Sequence, residues 1–241
     1  MNETTQESTI AALLRDEILR GQYREGERLP SERDLAERFG VHRSTVRSAV
    51  KRLEQLGIAD IRPGGARVNP IAEASLDVLE PWLALNDPPD ADLVDQILDT
   101  LNGFLAHAAR VGTERASDEE RAGIIAILSE MIDSAPSERR RGELFAALSE
   151  KLVAASRNPV LALMRHSLRT RYSNLVIPDS RRRSTPNEEL APILRRLRTA
   201  IRKGEGDRAS DAVYGIITRI RKAIRSDLER QARTARQGAS Q

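Results

Sequence analysis

The chain has 241 residues, 39% of them hydrophobic and 31% charged, with a net charge of only +3. This points away from disorder or a membrane-embedded chain, leaves room for two domains, and makes any affinity for nucleic acid depend on where arginines stand rather than on bulk basicity. The absence of cysteine excludes disulfides, thiolate zinc sites and a cysteine nucleophile, and 3% aromatic residues are too few for a surface that stacks single-stranded bases.

Residues 1–8 are polar and acidic, and no apolar run approaches the ~20 residues that span a bilayer, so a cytoplasmic location is the expectation. Residues 9–21 place Ile10, Leu13, Leu14, Ile18 and Leu19 at helical spacing and predict a packing helix ending at Gly21. A loop with Gly26 and Pro30 leads to Ser31, which with Asp34 three residues on is a helix-start signature. Leu35, Ala36 and Phe39 share one stripe, Gly40 suits the left-handed residue that closes a helix, and Val41 packs into the angle that follows. The next helix repeats apolar residues at Val46, Ala49, Val50 and Leu53 and leaves Arg43, Ser44, Arg47 and Lys51 on other faces. Residues 58–61 and 66–68 read as a hairpin with Pro63, Gly64 and Gly65 at its turn.

Two helices at a tight angle followed by a hairpin make a winged helix-turn-helix. A helix whose first turns project arginines and hydroxyls suits the major groove, because a guanidinium makes two hydrogen bonds to a guanine edge and hydroxyls suit phosphates. Val68-Asn69-Pro70 breaks the strand pattern and predicts a domain boundary at residue 70. Helical segments follow over residues 71–85, 91–111, 117–132, 137–156, 158–176, 187–203 and 207–230. The expected fold is therefore mostly α: a winged helix-turn-helix over residues 1–70, an antiparallel bundle of about seven helices over 71–230, and a flexible tail over 231–241.

The run Leu29-Pro30-Ser31-Glu32-Arg33, with Leu35-Ala36, Gly40-Val41, Arg43, Thr45-Val46-Arg47 and residues 53–57, resembles the DNA-binding domain of GntR-family transcriptional regulators. The resemblance implies that Arg33, Arg43, Ser44, Thr45 and Arg47, with Gly64 at the wing tip, contact operator DNA. Two positions depart from the family pattern. His42 stands at the recognition-helix cap where Ser or Thr is usual, and Pro63 and Gly65 stand in the wing where relatives often carry a polar or basic residue. Arg38 and Arg52 read as ordinary solvated arginines.

Residues 74–85, ASLDVLEPWLAL, and 152–161, LVAASRNPVL, followed by a helix reaching Tyr172, are similar to the effector domain of the FadR subgroup of that family, especially its acyl-CoA-binding branch. Many subgroup members hold a divalent metal with one aspartate and three histidines. Phe145 and Ser149 stand at the positions matching the aspartate and first histidine, and no histidine follows His166, so neither a metal nor a cofactor is expected. His107 and His166 fall on separate helices and read as ordinary side chains. The glycine-rich patch with a tryptophan that marks the acyl-CoA-binding branch is replaced at residues 215–225 by GIITRIRKAIR, which leaves acyl-CoA one candidate among several anionic effectors. Arg165, Arg169, Tyr172 and Arg221 are the candidate ligand-binding residues, since guanidinium pairs carboxylate and phosphate; the plain alternative is that such arginines face water. Arg181, Arg182 and Arg183 read as a solvated loop run, and Trp82 with Leu79 and Leu83 as packing at the join between the domains.

No Gly-x-Ser-x-Gly elbow, Cys-His pair, phosphate loop or dinucleotide fingerprint is present, so an enzyme is not expected. The expectation is a ligand-responsive regulator acting as a homodimer, because one reading helix covers few base pairs and a two-fold dimer matches a palindromic site. The rival is an effector-less dimeric DNA-binding or architectural protein, which a thermal-shift screen with small acids would separate.

Overall fold

In a computed structural model, which describes residues 3–134, 136–172 and 187–238, the chain divides into two units, Met1–Leu85 and Asn86–Gln241. The first is built from α1 (Glu3–Leu19), α2 (Glu32–Phe39), α3 (Arg43–Gln55), β1 (Ala59–Arg62), β2 (Gly65–Val68), two short 3-10 turns and the short helix α4 (Leu79–Leu83). Ser31 caps α2 by accepting from the Asp34 N–H at 3.2 Å, and Gly40 closes it at φ 64°, ψ 37°. That left-handed residue turns the chain sharply enough for α3 to begin three residues later. The strands pair antiparallel, Ala59 with Val68 through Arg62 with Gly65, leaving Pro63 and Gly64 as the turn. Leu14, Leu35, Val46, Ala49, Leu53, Ile58 and Val68 form one buried cluster.

The first unit ends later than residue 70. Val78 joins the same buried cluster, Ser75 donates its N–H to Leu56 O at 2.9 Å, and Asn69 Nδ2 donates to Gly57 O at 3.1 Å. Gly57, at φ +71°, lies so close to the returning chain that a Cβ would sit 2.6 Å from Glu73 O. These bonds hold residues 71–85 against the winged unit as 3-10 turns and α4, where the sequence predicts a first bundle helix.

The second unit holds α5 (Ala91–Arg115), α6 (Asp118–Asp133), α7 (Glu138–Ala155), α8 (Pro159–Tyr172), α9 (Asn187–Lys203) and α10 (Gly206–Gly238). Side-chain oxygens start three of them: Asp90 caps α5, Ser137 caps α7, and Ser117 with Glu120 forms a reciprocal capping box at α6. Helices α5 and α10 run antiparallel, with Asp92 meeting Arg225 at one end and Gly206 packed on Glu114 at the other. Ala109, Ile124, Leu128, Met131, Leu194, Leu197, Ile201 and Ile216 share the core.

Two helices outrun their expected ends. Helix α5 continues through Gly112 because that glycine is a packing site: a Cβ there would meet Leu152 O of α7 at 2.2 Å. Helix α10 continues to Gly238, so residues 231–238, expected as a tail, are helical; their alanines, arginines and glutamines are good helix formers without an apolar stripe. The end of the expected 158–176 helix and the Arg181–Arg183 run lie outside the described residues.

Candidate nucleic-acid interface

Helix α3 buries one face and presents the other. Val46, Ala49, Val50 and Leu53 are buried, while Arg43, Ser44 and Arg47 are exposed. His42 occupies the cap position with extended backbone and no side-chain cap bond, so the first turn of α3 has peptide N–H groups without that partner. Thr45 departs from the expected set of exposed contacts: it is only 4% exposed. It lies four residues before Ala49 and eight before Leu53, which places it on the packing stripe rather than on the reading face.

The start of α2 adjoins α3 through one ion pair. Arg47 Nε donates to Glu32 Oε1 at 2.9 Å and Nη2 to Oε2 at 2.8 Å, while the Arg47 side chain stays 64% exposed. The hydrogen bond from Arg47, reinforced by the charges of Arg47 and Arg43, holds the Glu32 carboxyl below the usual carboxylate range. This side-on grip leaves the Nη1 end of the guanidinium fork open, and that end is geometrically able to engage a guanine edge or a phosphate. Glu32 carries no sequence signal of this role beyond lying in the Ser31-Glu32-Arg33 run. Arg33 projects outward, 74% exposed, with Asp34 Oδ1 at 3.6 Å. Arg43 has no ion-pair partner among the described residues and acts on Glu32 only through its charge. Gly64, at φ +98°, stands in open space at the hairpin turn.

Arg38 and Arg52 are not simply solvated. Arg38 bonds Glu17 and stacks 4.8 Å above the Phe39 ring, and Arg52 Nε lies 2.5 Å from Glu7 Oε1. Both tie the helix pair to α1, which fixes the angle at which α3 is presented.

The effector candidates of the bundle are placed differently. Arg165 is 16% exposed, donating to Glu150 Oε2 at 2.9 Å and to Ala146 O at 3.2 Å, which pins α8 to α7. Arg221 is 26% exposed and pairs with Asp95 Oδ1 at 2.7 Å and with Asp99, which pins α10 to α5. The two arginines thus engage different helix pairs instead of converging. Arg169 and Tyr172 fall in α8, but their side chains are outside the described residues. Trp82 is half-buried on α4, within the first unit. Sequence reasoning missed Asn102, fully buried on α5: its Nδ2 donates to Tyr214 O at 3.2 Å and to Thr218 Oγ1 at 3.1 Å, while its Oδ1 has no partner among the described residues. No group of three or more His, Cys, Asp or Glu suited to a metal ion occurs among the described residues, and none of their helices is long and apolar enough to cross a membrane.

Two helices at a tight turn, a glycine-tipped hairpin and exposed arginines on the second helix define a winged helix-turn-helix protein with a companion helical domain. Residues 6–68 match the family described as bacterial regulatory proteins, gntR family, and residues 96–219, over half of the chain, match the FCD domain. The chain belongs to the GntR family, with an FCD domain following its winged unit. It is 30% identical to an HTH-type transcriptional regulator of Mycobacterium tuberculosis, over 64% of this chain and 63% of that protein. It is 32% identical to the fatty acid metabolism regulator protein of Shewanella halifaxensis, over 66% of this chain and 65% of the relative, and 34% identical to that of Shewanella pealeana, over 62% of each. These matches span under two thirds of the curated relatives' length. Among solved structures, Lar, which controls expression of the Listeria monocytogenes agr system, superposes with a TM-score of 0.52 at 18% identity, covering 90% of this chain and 95% of its own. A GntR family member from Pseudomonas syringae pv. tomato gives 0.51 at 18% identity, covering 98% and 91%. Both likenesses concern the fold.

Proposed function

We propose that the protein is a sequence-specific transcriptional regulator that reads duplex operator DNA as a homodimer and changes its operator affinity when a small anionic effector binds, without metal, in the helical bundle. The observation that carries the first half is the exposed α3 face, where Arg43 stands without an ion-pair partner among the described residues and Arg47 is aimed by Glu32. In this reading Arg43 and Arg47 contact base edges, Arg33 and Ser44 contact the backbone, Gly64 lets the wing approach the duplex, and Thr45 supports α3 from beneath. Two copies are required because the first turns of one helix cover only a few base pairs.

The effector half rests on the FCD domain, on relatives named as fatty acid metabolism regulators, and on the buried Oγ1 of Thr113, a hydroxyl able to donate that has no protein partner among the described residues. An acyl-CoA or other carboxylate is the favoured class. Such an anion would have to displace Glu150 from Arg165, or Asp95 and Asp99 from Arg221, and the unpaired Oδ1 of Asn102, an acceptor, offers it no hydrogen. The same pairing favours, as a second reading, a dimeric DNA-binding protein whose bundle takes no effector.

Duplexes enriched by the wild-type protein from a randomised pool, followed by fluorescence anisotropy, test the first half. Arg43→Ala is expected to lose ~1 to 3 kcal/mol on the enriched duplex and much less on a scrambled one. Equal losses on both would remove base reading. Thermal shift with acyl-CoAs and short carboxylates tests the second half, since a ligand selective for the folded form raises the melting temperature; a flat response to every one of them supports the effector-less reading.

A further inference from the structure

A third segment pairs with the two-stranded wing through a single antiparallel bridge. Val68 N–H donates to Glu27 O at 2.9 Å and Leu29 N–H to Ala66 O at 2.9 Å, and Arg28 sits opposite Arg67 in an antiparallel bridge. The chain just ahead of α2 therefore runs along the free edge of β2. Strand alternation then sorts the side chains. Leu29 and Val68 are buried on the inner face. Arg28, Gly65 and Arg67 fall on the outer face, together with their cross-strand partners on β1, Arg62 opposite Gly65 and Asp60 opposite Arg67. That face holds three arginines against one aspartate.

Two of the three are committed. Arg62 Nε lies 2.7 Å from Asp60 Oδ2, and Arg67 Nη1 donates to Gly26 O at 2.9 Å. Arg28 is exposed and has no hydrogen-bond or ion-pair partner among the described residues. Its guanidinium lies against Gly65: a Cβ at that position would sit 2.8 Å from Arg28 Nε and 3.2 Å from Nη2. Gly65 has φ +126°, so glycine meets two needs here, the backbone angle beside the turn and the space the arginine fills.

We infer that Arg28, carried on the bridging segment before α2 and seated over Gly65, is a phosphate-contacting residue of the wing. This rests on the reading of the winged unit as a DNA reader and extends it from the tip of the hairpin to its outer face. The chemistry favours a duplex backbone. A guanidinium offers five N–H donors in a planar fork that matches phosphate oxygens, and the seat over Gly65 limits its freedom before binding. Backbone contacts fix register without reading sequence, so Arg28 acts on every duplex alike, unlike the α3 arginines.

The test uses the full chain as wild type, Arg28→Ala and Arg28→Lys, with the enriched duplex and a scrambled duplex titrated between 50 and 200 mM salt. One phosphate contact corresponds to a change of about 0.9 in the slope of log affinity against log salt. Arg28→Ala is expected to flatten that slope by about one contact on both duplexes, so that the wild-type advantage shrinks about 3- to 4-fold across the salt range. Arg28→Lys keeps the charge and is expected to retain most of the slope. An unchanged slope for Arg28→Ala overturns the inference, and so does a loss confined to the enriched duplex, which would make Arg28 a base reader. A wild-type protein that binds neither duplex removes the underlying reading instead.

Discussion

The arginines of the winged unit and those of the bundle are the same side chain in opposite circumstances. On α3, Arg43 has no ion-pair partner among the described residues and Arg47 leans on Glu32 while remaining largely exposed. In the bundle, Arg165 and Arg221 are mostly covered and hold carboxylates on neighbouring helices. The abundance of arginine in both regions therefore says little about where an anion binds. What separates a binding surface from a strut is whether the guanidinium still has an unspent edge facing water.

The sharpest break of this comparison would come from the scaffold of the bundle. Gly112→Ala drives a methyl group into Leu152 O, a backbone atom that cannot swing aside, and is expected to cost about 3 kcal/mol of stability by denaturant titration; a wild-type midpoint would mean that α5 and α7 are not packed so closely in solution. Next come two matched truncations. Arg43→Ala should leave the melting temperature unchanged while operator affinity drops, whereas Arg221→Ala should lower bundle stability by about 1 kcal/mol and spare DNA affinity. That cost is modest because the pair is partly exposed and Arg225 still reaches Asp95 at 3.2 Å. If the two variants behaved alike, the distinction drawn between the regions would collapse.

Thr45→Val tests the boundary of the reading face. The residue is buried, so affinity for the enriched duplex should stay within about 0.5 kcal/mol of wild type, and a larger loss would return Thr45 to the interface. The smallest effect concerns Glu32. Its folded-state pKa is lowered, so its pairing contributes above the ordinary titration range of a glutamate and fades as the pH falls through the lowered value. Carboxyl titration by NMR should show Arg47→Ala moving the Glu32 midpoint upward; an unmoved midpoint would mean that the pair does not persist in water.

Much of the winged unit is legible in the chain because its signals are local. Ser31 with Asp34, Gly40 at the bend and the glycines of the hairpin each act within four residues, and the structure realises them where the spacing puts them. What escaped depends on distant partners. The bond from Ser75 to Leu56 leaves no side-chain pattern, so residue 70 looks like a boundary although the unit continues to Leu85. Gly112 reads as the end of a helix, because nothing nearby reveals that α7 lies against it. Asp92, Asp95 and Asp99 form an evident acidic stripe on α5, yet their basic partners stand on α10, more than 120 residues away. The family resemblance implies Thr45 as a DNA contact, whereas its four-residue relation to Ala49 puts it on the packing stripe, where it is buried.

The tether formed by Ser75, Asn69 and the close approach at Gly57 has a practical side for anyone wishing to transplant the reading head onto another body. A fusion joined just after the hairpin would discard Val78 and uncover the hydrophobic surface it seals. One joined after Leu85 would carry its own lid along, and the portable module accordingly runs seventeen residues past the end of its family motif, from residue 68 to residue 85.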